Sequence, residues 1–298
     1  LRKAAQKTSM SRLSPIAILF WLISLLPFWA LYLVSDGLYW IMFRIFGYRK
    51  KVVETNLRNA FPEKSESELR SIADRFYRYL PDLILETIKM TRISAEEIEK
   101  RIQIHNPEEL ERHFAQGKSI VGVTAHYGNW EWGTHRMSLL LAPRKALIIY
   151  KPLSNKSADE VMNTNRSRFG ALMVPMKQTL RKIVQLKGEP HMCMLVADQT
   201  PTYQESNYYM EFLNQQTLVF TGPERIAKLT NSPVVFCHID KVRRGYYTCT
   251  FTTLVENPQA TENYEITHLH NHFTASIIRS KPEWWLWSHR RWKRKPKP

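Results

Sequence analysis

Residues 119–133 read SIVGVTAHYGNWEWG, and the fold class turns on how the opening run is read. Ile120-Val121-Gly122-Val123-Thr124 is short, mostly β-branched, and breaks off into a turn that contains Gly128 and Asn129. A run of that length and composition predicts a buried strand. Its C-terminal end then delivers His126 into a loop, and in open α/β sheets that end of a strand is where ligands bind. Residues 132–141 predict a helix leading away from the loop.

The same alternation extends in both directions. Downstream, strand-like runs at 146–150, 172–175, 192–197, 234–239 and 246–255 are interleaved with helical stretches at 156–168, 178–187 and 261–279. Gly222-Pro223 opens a further helix, and 208–220 predicts a hairpin. Upstream, Ser65-x-x-Glu68 is a capping box before the helical stripe Leu69, Ile72, Phe76, Leu80 and Leu83, in which Pro81 predicts a bend. Ser94-x-x-Glu97 is a second box, 102–105 a strand, and Asn106-Pro107 an N-cap followed by proline, with Gly117 closing that helix. Alternating strands and helices predict an α/β fold: a single domain with a mixed, largely parallel sheet flanked by helices. No internal repeat or low-complexity linker interrupts it.

The first segment differs from the rest. Residues 15–34, PIAILFWLISLLPFWALYLV, carry no charge, and that length suits a helix crossing a bilayer core. A signal peptide is disfavoured because no small-x-small cleavage pattern follows. A buried core helix sits badly with Pro27 and five aromatics. The chain is therefore divided into a basic tail and membrane anchor over 1–43 and a catalytic domain over 44–298. Arg2, Lys3, Lys7 and Arg12 precede the apolar run and Arg44, Arg49, Lys50 and Lys51 follow it, so the positive-inside rule gives no orientation. A helix that enters and lies in one leaflet satisfies both flanks.

The net charge is +16 over 298 residues, which calls for anionic partners: lipid head groups, an acidic protein or nucleic acid. No groove-reading motif supports nucleic acid. Trp284, Trp285, Trp287 and Trp292 alternate with basic residues near the C-terminus, readable as an interfacial segment or as a tryptophan-rich core segment. Cys193, Cys237 and Cys249 are widely spaced, with no CxxC, and fit buried reduced thiols. The absence of GxSxG, of GxxxxGK[ST] and of GxGxxG leaves the usual hydrolase, NTP and dinucleotide chemistries without a signature. His268 and His272 in HLHNH have metal-ligand spacing, but no HExxH accompanies them.

His126 and Glu131 remain. A neutral imidazole takes a proton from an attacking hydroxyl near neutral pH, and a carboxylate on its other nitrogen fixes the tautomer. Their five-residue spacing permits convergence across a turn into a helix. It equally permits a hydrogen-bonded loop histidine and a glutamate favoured by the helix dipole.

The motif set narrows this. HYGNWE, YRKKVVETNLRNAFPEKSESE at 48–68, RSRFGA at 166–171, VADQTP at 196–201, TGPERIAKLTNSPVV at 221–235 and KPEWWLWSHRRWK at 281–293 together resemble the late lipid A acyltransferases of the lysophospholipid acyltransferase superfamily. The resemblance covers most of the chain. It implies a membrane-anchored O-acyltransferase on the cytoplasmic side of a bacterial inner membrane. The acyl thioester would be carried by acyl carrier protein or CoA, the acceptor would be an anionic lipid, and no cofactor or metal would be needed. It implies His126 as general base and Glu131 as its orienting partner. Arg166 or Arg168 would hold phosphate, Asp198 would have a polar or orienting role, and Asn129 with Gly128 would make polar contacts to the reacting groups. A lipid A precursor is the first acceptor, with an aminolipid or lysophospholipid as alternative, because the carboxy-terminal blocks are closer to a broader branch. A non-catalytic basic membrane protein that recruits an acidic partner is the reading from a different class.

Overall fold

The computed structural model describes residues 15–296, so Arg2, Lys3, Lys7 and Arg12 lie outside the described residues. The N-terminal elements are α1 (Pro15–Leu25), α2 (Phe28–Tyr39), a π-helical turn over Trp40–Ile45, α3 (Lys50–Ala60), α4 (Glu66–Lys89) and α5 (Ala95–Arg101). Then follow β1 (Ile102–Ile104), α6 (Glu108–Phe114), β2 (Ile120–Thr124), α7 (Trp130–Leu141), β3 (Lys145–Tyr150), α8 (Lys156–Arg166) and β4 (Leu172–Pro175). The remainder is α9 (Thr179–Gln185), β5 (His191–Val196), the hairpin β6 (Tyr209–Phe212) and β7 (Gln215–Leu218), α10 (Gly222–Thr230), β8 (Val234–Arg243), β9 (Tyr246–Val255) and α11 (Glu265–Ser280).

Seven strands form one sheet in the order β1-β9-β8-β2-β5-β3-β4. The β8–β9 pair is antiparallel and every other neighbouring pair is parallel. β2 lies at the centre and is buried along its whole length, as a parallel strand covered on both faces must be. Its side chains alternate between two cores. Val121 and Val123 face a core shared with α4, α10 and α11. Ile120 faces a second core with α5, α6 and α7. The capping box at Ser65 is complete, and α4 runs as one helix from Glu66 to Lys89 with Pro81 inside it. The Asn106 side chain does not cap α6. It bonds the backbone of Phe251 in both directions, at 2.8 and 2.9 Å, and ties the helix start to β9.

The expected single anchor helix is two helices. α1 and α2 meet at 119° across a break at residues 26–27, and among the described residues no single helix is long and apolar enough to cross a membrane. Pro27 is the physical reason: it offers no backbone N–H and disfavours helical backbone in the residue before it. One side of α2 is tied to the catalytic domain by polar bonds. Ser35 Oγ donates to Asp82 Oδ1 at 2.6 Å, and Arg244 bridges Asp36 and Asp82, each at 2.7 Å. Beside these bonds the helix exposes apolar side chains: Trp29 is 69% exposed, Leu33 63% and, in the π-helical turn that follows, Trp40 58%. Asp36, at i+7 from Trp29, interrupts this face and is paired there with Arg244.

The C-terminal tryptophans resolve in favour of the core. Trp285 and Trp287 are buried, Trp287 Nε1 donates to the Pro282 carbonyl at 2.6 Å, and Trp292 Nε1 donates to Thr217 Oγ1 at 2.7 Å. A tryptophan is stable inside when its N–H finds an acceptor.

Candidate active site

Strand register assembles the site. β2 and β5 pair in parallel with Thr124 opposite Val196. Two residues beyond each strand end stand His126 and Asp198, so the register sets them side by side at the C-terminal edge of the sheet. His126 Nδ1 lies 2.7 Å from Asp198 Oδ1. The His126 backbone N–H donates to Asp198 Oδ2 at 3.0 Å, and Trp285 Nε1 donates to the same oxygen at 2.7 Å. An ionised carboxylate is a pure acceptor, so Nδ1 carries the proton and Nε2 the lone pair. Burial pushes the Asp198 carboxyl up, but the His126 charge and these three hydrogen bonds outweigh it and hold it at about 2. The His126 side chain keeps 18% of its surface open, against 2% for Asp198. Its ring meets Trp130 edge-on at 4.9 Å.

Glu131 does not orient His126. Its carboxylate is taken by Arg166 in a bidentate fork, Nε to Oε2 at 2.8 Å and Nη2 to Oε1 at 2.5 Å. Burial pushes Glu131 up, and the Arg166 charge and hydrogen bonds, with His126 adding to them, bring it below the usual carboxylate range. The nitrogen–carboxylate contact that the resemblance implied for Glu131 is made instead by Asp198, 72 residues further along the chain and just beyond β5. Arg166 and Arg168 separate as well. Arg166 reaches the site. Arg168 Nη1 donates to the carbonyls of Ile93, at 3.0 Å, and Met90, pinning the end of α4.

Asn129 is fully buried, which corrects its expected contact with substrate. Its Oδ1 accepts from Trp132 N at 2.9 Å and caps α7, and its Nδ2 donates to Glu86 Oε2 at 2.7 Å. Both ends of the amide are occupied, so Asn129 shapes the turn. The Gly128 N–H is likewise used, by the Trp284 carbonyl at 3.1 Å. Gly128 itself is required: φ is +58°, and a Cβ there would stand 2.1 Å from the Ile239 carbonyl oxygen. Gly128→Ala is expected to destabilise the fold by about 2–4 kcal/mol, read as a lowered denaturation midpoint.

Three contributors escaped the sequence reading. The segment 284–286 straps the turn: Leu286 N donates to the His126 carbonyl at 3.1 Å, and Trp285 bridges Tyr127. Tyr79 donates its hydroxyl to the Gly128 carbonyl. Glu86 sits one helical step beyond Leu83 on the apolar stripe of α4, and a charge on a buried stripe is the signal that would have found it.

Behind Asp198, burial pushes His270 down to about 3 and His289 down to about 4. Both are neutral at pH 7. In HLHNH, His268 Nε2 pairs with the Tyr208 hydroxyl at 2.7 Å. Among the described residues no three His, Cys, Asp or Glu side chains converge on a metal-sized site.

The comparisons with known proteins agree among themselves. The profile of the bacterial lipid A biosynthesis acyltransferases matches residues 3–294. The chain is 23% identical over 277 residues to the lipid A biosynthesis lauroyltransferase of Escherichia coli K12, spanning 93% of this chain and 89% of the relative. It is 22% identical over 249 residues to the palmitoleoyltransferase of the same strain and to a lipid A biosynthesis acyltransferase of Shigella flexneri, spanning 83% of this chain and 80% of each relative.

Proposed function

Because the chain belongs to the bacterial lipid A biosynthesis acyltransferase family and is therefore an acyltransferase, we propose that it moves a fatty acyl group from an acyl thioester to a hydroxyl of a lipid A precursor, with His126 as general base. The observation that carries this reading is the His126–Asp198 pair at the C-terminal edge of β2 and β5. The acceptor oxygen attacks the thioester carbonyl carbon and its proton passes to Nε2. The imidazolium is stabilised through Nδ1–H by the buried Asp198 carboxylate. The tetrahedral intermediate collapses, the C–S bond breaks, and the departing sulfur takes the proton back from Nε2. No covalent acyl-enzyme is needed.

Arg166 supports acceptor binding. Glu131 fixes its guanidinium through Nε and Nη2, leaving Nη1 for a phosphate oxygen. Acyl carrier protein or CoA is the donor; the carrier protein is acidic, and the +16 chain favours its approach.

The bent helix pair seats the enzyme on a cytoplasmic membrane face, with Trp29, Leu33 and Trp40 toward the lipid, the Asp36–Arg244 pair among them at head-group level, and Ser35 on the domain. An exposed face of that kind suits a helix lying in one leaflet.

The test is transfer by detergent-purified protein. Labelled acyl carrier protein and labelled acyl-CoA are each offered with a lipid A precursor, a lysophospholipid and an aminolipid. Product on the lipid A precursor is expected. Product on one of the other lipids alone would refute the acceptor, and no product on any of them would refute the reaction.

A further inference from the structure

Glu86 is fully buried on α4 and plays no part in the proton transfer described above. Three side chains from three elements donate to it. Tyr32 of α2 reaches Oε1 at 2.8 Å. Asn129 Nδ2 and the Tyr247 hydroxyl reach Oε2, each at 2.7 Å. The Glu86 backbone carbonyl takes Trp132 Nε1, also at 2.7 Å. One carboxylate thus joins the second helix of the apolar N-terminal pair to the residue that caps α7 and closes the His126 turn.

We infer that Tyr32 and Glu86 are positioning residues for acyl transfer: through Asn129 they hold the 125–131 turn, so that docking of α2 on the domain is a condition of full turnover. The inference rests on the proposed reaction and adds a contribution from the N-terminal helices that the reaction itself does not require. The physical argument is the cost of an unpaired buried group. Burial drives the Glu86 carboxyl upward, with Lys241 opposing, so its charge depends on its donors. Oε1 has Tyr32 as its donor. Removing that O–H leaves the oxygen unsatisfied in a dry site, and the carboxyl must turn or take up a proton. Either change alters the acceptor that Asn129 faces, and Asn129 sets the start of α7. Displacements of this size far from the reacting atoms lower turnover. The helix itself stays docked when Tyr32 is altered, because Ser35, Asp36 and Arg244 hold it independently.

The experiment is Tyr32→Phe in the full chain, with Glu86→Gln beside it, in detergent and on vesicles of phosphatidylethanolamine and phosphatidylglycerol. Amide exchange in residues 125–131 is expected to rise about tenfold in Tyr32→Phe with the rest of the sheet unchanged. The kcat is expected to fall about tenfold, with KM for donor and acceptor and the vesicle-bound fraction kept within about twofold. Glu86→Gln, which retains one acceptor oxygen, is expected to give a smaller loss. Wild-type exchange in 125–131 of Tyr32→Phe would overturn the inference. So would a loss confined to KM or to vesicle binding, which would mark a contact of the helix alone. Absence of transfer by the wild-type protein would instead refute the reaction, and the exchange measurement would still decide the link.

Discussion

His126→Ala is expected to lower kcat by about 10²–10⁴-fold, the range a positioned general base contributes. The variant leaves a small cavity at the open edge of the sheet. The backbone contacts of residue 126, N–H to Asp198 and carbonyl to Leu286, do not depend on the imidazole. The fold is therefore expected to survive, with KM for either substrate little changed. Steady-state kinetics with a labelled acyl donor, beside a thermal melt, checks both parts. Full turnover in a folded His126→Ala protein would remove the proposed base and leave the proton transfer to another group at the sheet edge.

The second large effect separates the two carboxylates. Asp198→Asn is nearly isosteric, yet three donors converge on the native carboxylate: two on Oδ2, from the His126 N–H and Trp285, and one on Oδ1, from the ring. An asparagine keeps the two donors by placing its oxygen at the Oδ2 position. Its NH2 group then faces Nδ1. The imidazole must present a lone pair there and carry its proton on Nε2, the wrong nitrogen for a base. Loss of kcat by about 10³–10⁴-fold is expected. Glu131→Gln leaves the His126 tautomer intact and loosens the Arg166 fork. A partly buried guanidinium that loses its carboxylate partner costs about 1–3 kcal/mol of stability, so its effect is expected first in the melting temperature and in acceptor KM. A folded Glu131→Gln protein with a larger kcat loss than Asp198→Asn would reverse the assignment.

The two carboxylates also mark how far the sequence could be read. The strands were legible because a central parallel strand must be apolar on both faces, and IVGVT or HMCMLV has few other uses. His126 was legible because a polar residue directly after such a strand stands at the ligand-binding edge. Asp198 was named through the family resemblance, with a polar or orienting role, but its pairing with His126 was not legible: spacing sees only local neighbours such as Glu131, whereas Asp198 arrives through a register that no periodicity encodes. The strand order, with β5 between β2 and β3, is the kind of non-local fact that decides such pairings. Trp285 is a sharper case: with basic residues on either side the 284–292 block reads equally as interfacial or as core, and its indole N–H is committed to Asp198. In the apolar segment, length and composition fit one spanning helix, but Pro27 breaks it and the two halves are bent by 119°. Glu86 was readable as a charge on an apolar stripe, though its three donors come from α2, the turn and β9.

The strap formed by residues 284–286 has a consequence for the life of the polypeptide in the cell. It braces β2 and β5, yet the ribosome makes it after both. A nascent chain carries its histidine long before Trp285 exists to hold Asp198. Until translation passes that point, the contacts that hold the 126–128 turn and Asp198 at the sheet edge are incomplete. A chain that terminates before residue 284 has both strands but lacks the brace that closes the turn between β2 and α7.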